Sequence, residues 1–256
     1  MIWRYRIALK TLVIREFLRF IRIWIQTVLP PVITVSLYFL IFGNLIGPKI
    51  GDMDGFSYIN YIAPGILLMT VLTNSYANVV SSFYSSKFQR HVEELLISPV
   101  PNGIILLGYV CGGVFRGMIV GTVVGLVALG FTGLSVASPW LAILVVLLTS
   151  VLFSLAGFIN AIYANSFDDI TIIPTFVLTP LTYLGGIFYS ISLLPEFWQQ
   201  VSLLNPILYM VNAFRYSVLG SSDIDIMTAF SVILGVIFLL VMFSLHLLNK
   251  GTGIRS

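Results

Sequence analysis

The sequence predicts an all-α polytopic membrane protein with six transmembrane helices, and three observations carry that prediction. Of the 256 residues, 58% are hydrophobic and only 9% charged, against about 25% charged in an ordinary soluble domain. Mean hydropathy is +1.03. Charge-free apolar runs recur at the ~20 residues needed to cross a ~30 Å hydrocarbon core at 1.5 Å per residue. Lys and Arg gather beside alternate ends of those runs. So few charges cannot cover a soluble surface of this length, which excludes a water-soluble enzyme domain, a nucleic-acid module and a disordered chain. The excess of 13 Lys plus Arg over 10 Asp plus Glu, 13 − 10 = +3, therefore signals no nucleic-acid partner; where the charges fall matters more than their sum. The lone Cys111 forbids an internal disulfide and makes a structural zinc site implausible. The opening Met-Ile-Trp-Arg-Tyr-Arg returns to Arg every few residues and lacks the apolar core of a cleavable signal peptide, so mature sequence is expected from the start.

The charge-free runs are Ile23 to Pro48, Gly55 to Ser86, Gly117 to Phe167, Ile170 to Pro195 and Ile226 to Asn249. The third holds two helices, broken at Gly130 to Pro139 by small, polar and turn-forming residues. Within one domain, 1–256, the spans fall at 23–46, 60–84, 104–130, 139–164, 170–190 and 226–248. Orientation follows the basic residues, which stay on the cytosolic side of short loops. With both termini inside, that side holds Arg4, Arg6, Lys10, Arg15, Arg19, Arg22, Lys87, Arg90, Lys250 and Arg255, and the other holds Lys49 and Arg215. Arg116, within or at the edge of the third span, is left uncounted: 10 + 2 + 1 = 13.

Three segments are neither spans nor simple loops. Residues 3–22 read as an amphipathic interface helix: Arg4, Arg15, Arg19 and Arg22 share one face, with Ile7, Ile14, Phe17, Leu18 and Ile21 on a neighbouring one. It serves as a basic anchor for anionic headgroups or touches a cytosolic partner besides. Residues 87–98, on the cytosolic side, mix both charge signs with an apolar face of Phe88, Val92, Leu95 and Leu96. A short helix ending before Pro99 is expected, either a solvated connector or a docking element. Residues 192–225 are too apolar for an exposed loop, yet Pro195 and Pro206 cut them into pieces too short to cross. Two short helices that dip into the outer leaflet and return fit this pattern, a re-entrant hairpin.

Several chemistries are absent. No GxxxxGK[ST] occurs, so this chain cannot cradle ATP by itself. None of the six spans contains Asp or Glu, which disfavours an ion-coupled carrier. His91 and His246 have no ligand spacing, so no metal site is expected, and no GxSxG elbow is present. Gly113, Gly117, Gly121 and Gly125 recur every four residues along the third span, letting another helix approach closely. That partner lies within the subunit or across a subunit interface. Arg116 flanks the stripe and either lines a wet path or snorkels to the cytosolic boundary, the reading we favour.

Six spans, an amphipathic N-terminal helix, a charged helix between spans two and three and a broken hairpin before span six form a set that resembles the permease subunits of type 2 ATP-binding-cassette (ABC) exporters. The likeness covers nearly the whole chain. Its most specific stretch is Asp168-Asp-Ile-Thr-Ile-Ile-Pro-Thr-Phe-Val-Leu-Thr-Pro-Leu-Thr-Tyr-Leu-Gly-Gly-Ile-Phe-Tyr189, continuing through Leu194-Pro-Glu-Phe-Trp198 and Leu204-Asn-Pro-Ile-Leu-Tyr209 to Arg215. Arg22-Ile-Trp-Ile-Gln-Thr-Val-Leu-Pro-Pro31 and Ile41-Phe-Gly-Asn-Leu-Ile-Gly47 place it nearest a bacterial inner-membrane group.

The resemblance implies a homodimer joined to two separate ATPase subunits, which bind ATP and Mg; this chain itself carries no cofactor. The 87–98 segment is then the coupling helix, docking through Lys87, Phe88, Arg90, Val92, Glu93, Glu94, Leu95 and Leu96. Asp168 and Asp169 either cap the fifth span alone or touch the ATPase as well. Tyr38, Phe39, Phe42, Tyr183, Phe188 and Tyr189 either line a transport path or form belts and core. Pro195, Asn205, Pro206 and Arg215 fix the outer hairpin. The reading is an ATP-driven exporter of an amphipathic, lipidic or lipid-linked molecule across the bacterial inner membrane. A secondary carrier or channel subunit without an ATPase is the alternative, and a lipid-modifying membrane enzyme the third.

Overall fold

The structure is a computed structural model that describes residues 5–251. Trp3, Arg4 and Arg255, used in the readings above, lie outside the described residues. In chain order the helices are α1 (Arg6–Arg22), α2 (Trp24–Tyr38), α3 (Gly47–Ile50), α4 (Tyr58–Phe88), α5 (His91–Ile97), α6 (Asn102–Thr132), α7 (Pro139–Tyr163), α8 (Asp169–Ile173), α9 (Thr179–Leu184), α10 (Glu196–Leu203), α11 (Pro206–Leu219) and α12 (Ile226–Lys250). A π-helical stretch, Phe39–Ile46, joins α2 to α3, so Trp24–Ile50 is one helix of 27 residues. Pro30 and Pro31 sit inside it, each removing a backbone donor; membrane helices tolerate this where neighbouring groups and local helix adjustments re-satisfy the freed carbonyls.

Five helices are long and apolar enough to cross a membrane: Trp24–Ile50, Tyr58–Phe88, Asn102–Thr132, Pro139–Tyr163 and Ile226–Lys250. They replace the expected 23–46, 60–84, 104–130, 139–164 and 226–248 with small shifts at each end. The sixth expected span, 170–190, is shorter. Its helix is Asp169–Leu184, carrying a π-helical turn at Pro174–Leu178, and it stops at Gly185 and Gly186, the latter at φ +68°. At 1.5 Å per residue such a helix covers roughly 24 Å.

Contacts sort the bundle into two ends. At one, the Lys87 ammonium donates to the Ile162 and Ala164 carbonyls, both at 2.7 Å, and Asn102 Nδ2 donates to Asn249 Oδ1 at 2.7 Å. This end also holds α5. At the other, Ala137 N–H donates to Val218 O at 3.1 Å, Ser138 N–H to Ser217 O at 2.8 Å, and the Tyr58 hydroxyl to Phe188 O at 3.3 Å. The Asp169–Leu184 helix begins near the first end and leads to the second, where a Cβ on Gly65 would fall 2.8 Å from the Ile187 carbonyl oxygen. The start of α1 and the end of α12 both lie towards the α5 end.

The core forms where α4 packs on α6 and α7, because lipid supplies no hydrophobic drive between helices and close approach must do the work. The glycine stripe provides it within this chain. A methyl on Gly113 would strike Ser154 and Val79, one on Gly117 would strike Ser75 and Ser150, and one on Gly121 would sit 2.8 Å from Val71. Gly125 is looser, 3.4 Å from Leu67. Of the two partners left open for the stripe, the intramolecular one is observed. A second pair on α6, Gly108 and Gly112, admits Leu12 and Glu16 of α1 at 2.8 and 2.7 Å.

Two differences from the expected architecture stand out. A small antiparallel hairpin, Asp52–Met53 paired with Phe56–Ser57, interrupts the all-α pattern. Its turn puts Asp54 and Gly55 at φ 52° and 82°, the double positive φ that Asp-Gly favours. The other is α1. Its apolar strip, Ile7, Ile14, Phe17, Leu18 and Ile21, is exposed as expected, but the face turned to the protein is Leu12, Glu16 and Phe20. The helix lies alongside α6, with Leu12 against Gly108 and Glu16 one turn on against Gly112.

Candidate functional site

At the α5 end, α4 stops at Phe88 and the chain turns through Gln89 and Arg90, the latter in the left-handed region at φ 61°. That turn aims α5 sideways. Val92 is buried and Leu95 and Leu96 are half-buried, packed on the chain's own core. The face expected to await a partner is therefore largely satisfied internally. What remains exposed is Phe88 at 65% and Ile97 at 86%, with Arg90, His91 and Glu94 around them and Glu93 half-buried. Phe88 packs edge-on to Phe167 at 5.3 Å, and Phe167 to Tyr84 at 4.9 Å. Ile97 and Phe167 were not singled out from sequence; both are apolar residues in turn-flanked positions, where periodicity is silent.

Lys87 is not free for docking, since its ammonium caps the carbonyl end of α7. Asp169 accepts from the Asn165 and Ser166 N–H groups at 2.8 and 3.1 Å. Those backbone donors hold its carboxyl below the usual carboxylate range. No side-chain cap bond to the helix is present, so the carboxylate ties down the loop before the helix instead of capping it. Asp168 is exposed beside it.

At the opposite end the broken hairpin has the expected two helices, α10 and α11, with unequal environments. α10 exposes Phe197, Trp198, Leu203 and Leu204, whereas α11 is buried along most of its length. Pro195 precedes α10 as its N-cap and Pro206 opens α11. Asn205 between them accepts from Ile207 N–H at 3.0 Å and donates to Leu181 O at 2.6 Å, latching the turn to α9. Arg215, counted from sequence among the outside charges, is 1% exposed. Its guanidinium lies 4.0 Å over the Tyr61 ring, donates to Gly186 O at 2.6 Å and faces Asp223 at 3.7 Å. Asp223 also accepts from Ser190 Oγ at 3.0 Å and Ile191 N–H at 3.2 Å. Cation, ring and carboxylate together close this end of the bundle.

Five of the six nominated aromatic residues meet, four of them ring to ring. Tyr38 lies 5.7 Å from Phe42 and 6.0 Å from Phe188, and Phe188 lies 6.2 Å from Tyr183. Tyr189 joins them by donating its hydroxyl to Tyr183 O at 2.8 Å. Phe39 does not: it is fully buried against Phe131 at 5.8 Å. One residue of helix rotates a side chain by about 100°, so 38 and 42 share a face that 39 leaves. Further along, a cavity of about 240 Å³ opens between α4 and the Asp169–Leu184 helix. Thr73, Thr175, Thr179 and Thr182 place hydroxyls in a lining that is otherwise mostly apolar, with Tyr76 and Pro174 beside them. The sequence reading missed these threonines, although three of them recur at helical spacing.

Arg116 corrects the snorkelling expectation. Its Nε and Nη2 donate to Asn74 Oδ1 at 3.2 and 3.0 Å, and Asn74 lies midway along α4, so the side chain is held by the neighbouring helix at mid-length. Glu16 corrects a second inference. The spans contain no acid, but α1 inserts one: Glu16 is 1% exposed and accepts from Ser82 Oγ on α4 at 2.7 and 2.8 Å.

Apolar helices joining two ends, one end bearing an exposed apolar corner and the other a latched hairpin, with a threonine-lined cavity between, are the build of a membrane transport subunit. The chain belongs to the ABC-2 type transporter family, whose sequence pattern matches residues 7–219. It is 54% identical over 252 residues to the "Inner membrane transport permease YadH" of Escherichia coli (strain K12), covering 98% of each chain. It is 26% identical over 213 residues to "Nodulation protein J" of Rhizobium leguminosarum bv. viciae, 80% of each, and 27% identical over 214 residues to the protein of that name from Rhizobium meliloti (strain 1021), 81% of this chain and 79% of that one. The family and the bacterial inner-membrane group read from the sequence are both borne out.

Proposed function

We propose that this chain is the membrane-spanning permease subunit of an ATP-driven exporter, working as a homodimer with two separate ATPase subunits in the bacterial inner membrane. The observation that carries the reading is the α5 corner. Phe88, Ile97 and Phe167 are large, apolar and exposed at one end of a bundle whose sequence has no means of binding ATP. Burying each such side chain is worth about 1.5–3 kcal/mol. A groove on an ATPase supplies the burial, and Arg90, Glu93, Glu94 and Asp168 at the rim set its orientation. Membership of the ABC-2 type transporter family supports the same assignment.

The Asp169–Leu184 helix acts as the sixth crossing, making both termini and α5 cytosolic. It is lined on its free side by Ile172, Phe176, Val177 and Tyr183, all exposed; a second copy of the chain covers that face and encloses the threonine-lined cavity as the path. Alternating access follows when the α5 corners are pulled together by ATP. An apolar path without free carboxylates suits an amphipathic, lipidic or lipid-linked cargo. A sided labelling experiment tests the arrangement. In a Cys111→Ser background, Leu204→Cys should react with an impermeant thiol reagent from outside intact cells and Gln89→Cys should not. The reverse pattern would place α5 away from any cytosolic ATPase and end the exporter reading.

A further inference from the structure

Where α1, α4 and α6 meet, charge accumulates that the proposed transport cycle does not use. Among the described residues, Arg116 is bonded to the neutral Asn74 alone. One turn along α4, Arg19 Nη2 donates to the Asn78 carbonyl and to Asn78 Oδ1, both at 2.8 Å, and Nη1 reaches Ser81 Oγ at 3.4 Å. Residues four apart on a helix have Cβ atoms about 5–6 Å apart, so the two guanidiniums are neighbours, close enough to repel. Arg15 stands beside them over the Tyr109 ring at 5.1 Å.

Against these three cations, the carboxylate that pairs with the cluster among the described residues is Glu16, 3.2 Å from Arg15 and 3.5 Å from Arg19. Its oxygens are already occupied by Ser82. The cluster therefore carries 3 − 1 = +2; Arg15 is exposed at its edge, so the unmatched charge inside the apolar helices falls on Arg19 and Arg116, where it is costly and is kept for a purpose. It is reachable: the Arg19 side chain retains 32% of its surface and Arg116 is only half-buried. Asn78 Nδ2 is a buried donor with no partner in the same place. Thr73, Ala77 and Ser81, on the open face of α4, lead from the cluster to the threonine-lined cavity.

We propose that Arg19 and Arg116 form a receptor for the phosphate headgroup of an amphiphile, taken from the leaflet at the α5 end. Guanidinium forks match phosphate oxygens two at a time, and the ligand's negative charge compensates the excess that the protein leaves open. The apolar remainder of the ligand lies along the exposed strip of α1. This deepens the exporter reading by naming the anionic group of the cargo, and it rests on that reading only for the leaflet.

Binding to the purified full-length chain in detergent, read by native mass spectrometry, tests it without an ATPase. The probes are phosphatidic acid and a diacylglycerol of the same chains. Wild type should hold phosphatidic acid about tenfold or more tightly, the scale of one charge-assisted hydrogen bond. Arg116→Gln and Arg19→Gln should each abolish the preference, Arg116→Lys should weaken it several-fold at an unchanged melting temperature, and Lys10→Gln on the exposed side of α1 should leave it intact. Persistence of the preference in both glutamine variants, equal loss with Lys10→Gln, or no preference in wild type would overturn the proposal. Complete displacement by inorganic phosphate would overturn the amphiphile and leave a free-anion site. None of these outcomes touches the α5 corner, so a failure here leaves the exporter reading standing.

Discussion

Arg215 and Arg116 are both arginines drawn into an apolar bundle, and they differ in what surrounds the charge. Arg215 is sealed: a ring at 4.0 Å, a carbonyl at 2.6 Å and Asp223 at 3.7 Å leave it 1% exposed. Arg116 has hydrogen bonds but, among the described residues, no counter-charge, and another guanidinium stands nearby. A neutralised, enclosed cation holds pieces of structure together, whereas an unneutralised and reachable one is a binding group. The lesson is that depth in the membrane does not distinguish the two roles; the inventory of partners does.

The contrast is broken most severely by removing each side chain. Arg215→Ala leaves Asp223 and the Gly186 carbonyl without their cation and should cost about 3–5 kcal/mol, the usual range for orphaning a buried pair. The readout is a large fall in melting temperature. Arg116→Gln should be close to neutral, since the hydrogen bonds lost to a neutral partner are offset by relief of an unmatched charge beside Arg19. Equal destabilisation by the two would erase the distinction between them.

A smaller effect separates tight from loose contacts along α6. Gly117→Val forces a side chain onto Ser75 and Ser150 and should destabilise by about 1–3 kcal/mol. Gly125→Ala, meeting Leu67 at an ordinary 3.4 Å, should be close to neutral. Thermal unfolding of the two proteins in the same detergent checks the ranking. The smallest effect lies at Asp169. Its carboxyl is held below the ordinary range, so its contribution is present above about pH 4, the unfolded value, and is lost as pH falls through the lower folded value. Melting curves of wild type and Asp169→Asn should differ slightly at neutral pH and converge in acid.

Most of the architecture was legible because lipid imposes length and apolarity on every crossing. The helix limits, the two-helix split at Gly130 to Pro139 and the hairpin at Pro195 and Pro206 follow from composition and backbone chemistry alone. The glycine stripe was legible as a close contact, but its partners, Ser75 and Ser150, come from distant parts of the chain. The early stop of the Asp169–Leu184 helix was hidden because Gly185 and Gly186 lie in an apolar run that continues through Phe188. The Asp54-Gly55 turn was a local signal overlooked beside the span that follows it.

Site residues divided along the same line. Phe39 was nominated with its aromatic neighbours because composition ignores which face a residue takes. Glu16 escaped because a buried acid on an amphipathic helix looks like one more surface charge until Ser82 is seen to meet it. Arg215 looked external for the same reason, since Tyr61 and Asp223 lie far away in sequence. Ile97 and Phe167 carry no pattern at all; their exposure is visible only after folding.

The claim that the α5 corner is where an ATPase docks is tested most directly by purifying the tagged chain from its own membrane with and without the double substitution Phe88→Ser, Ile97→Ser. The account predicts that wild type elutes as a complex of two permeases and two ATPases with magnesium-dependent ATP hydrolysis. It predicts that the variant elutes folded but stripped of that activity. Retention of the full hydrolysis by the double variant, or ATP-independent transport by wild type alone in liposomes, would contradict it.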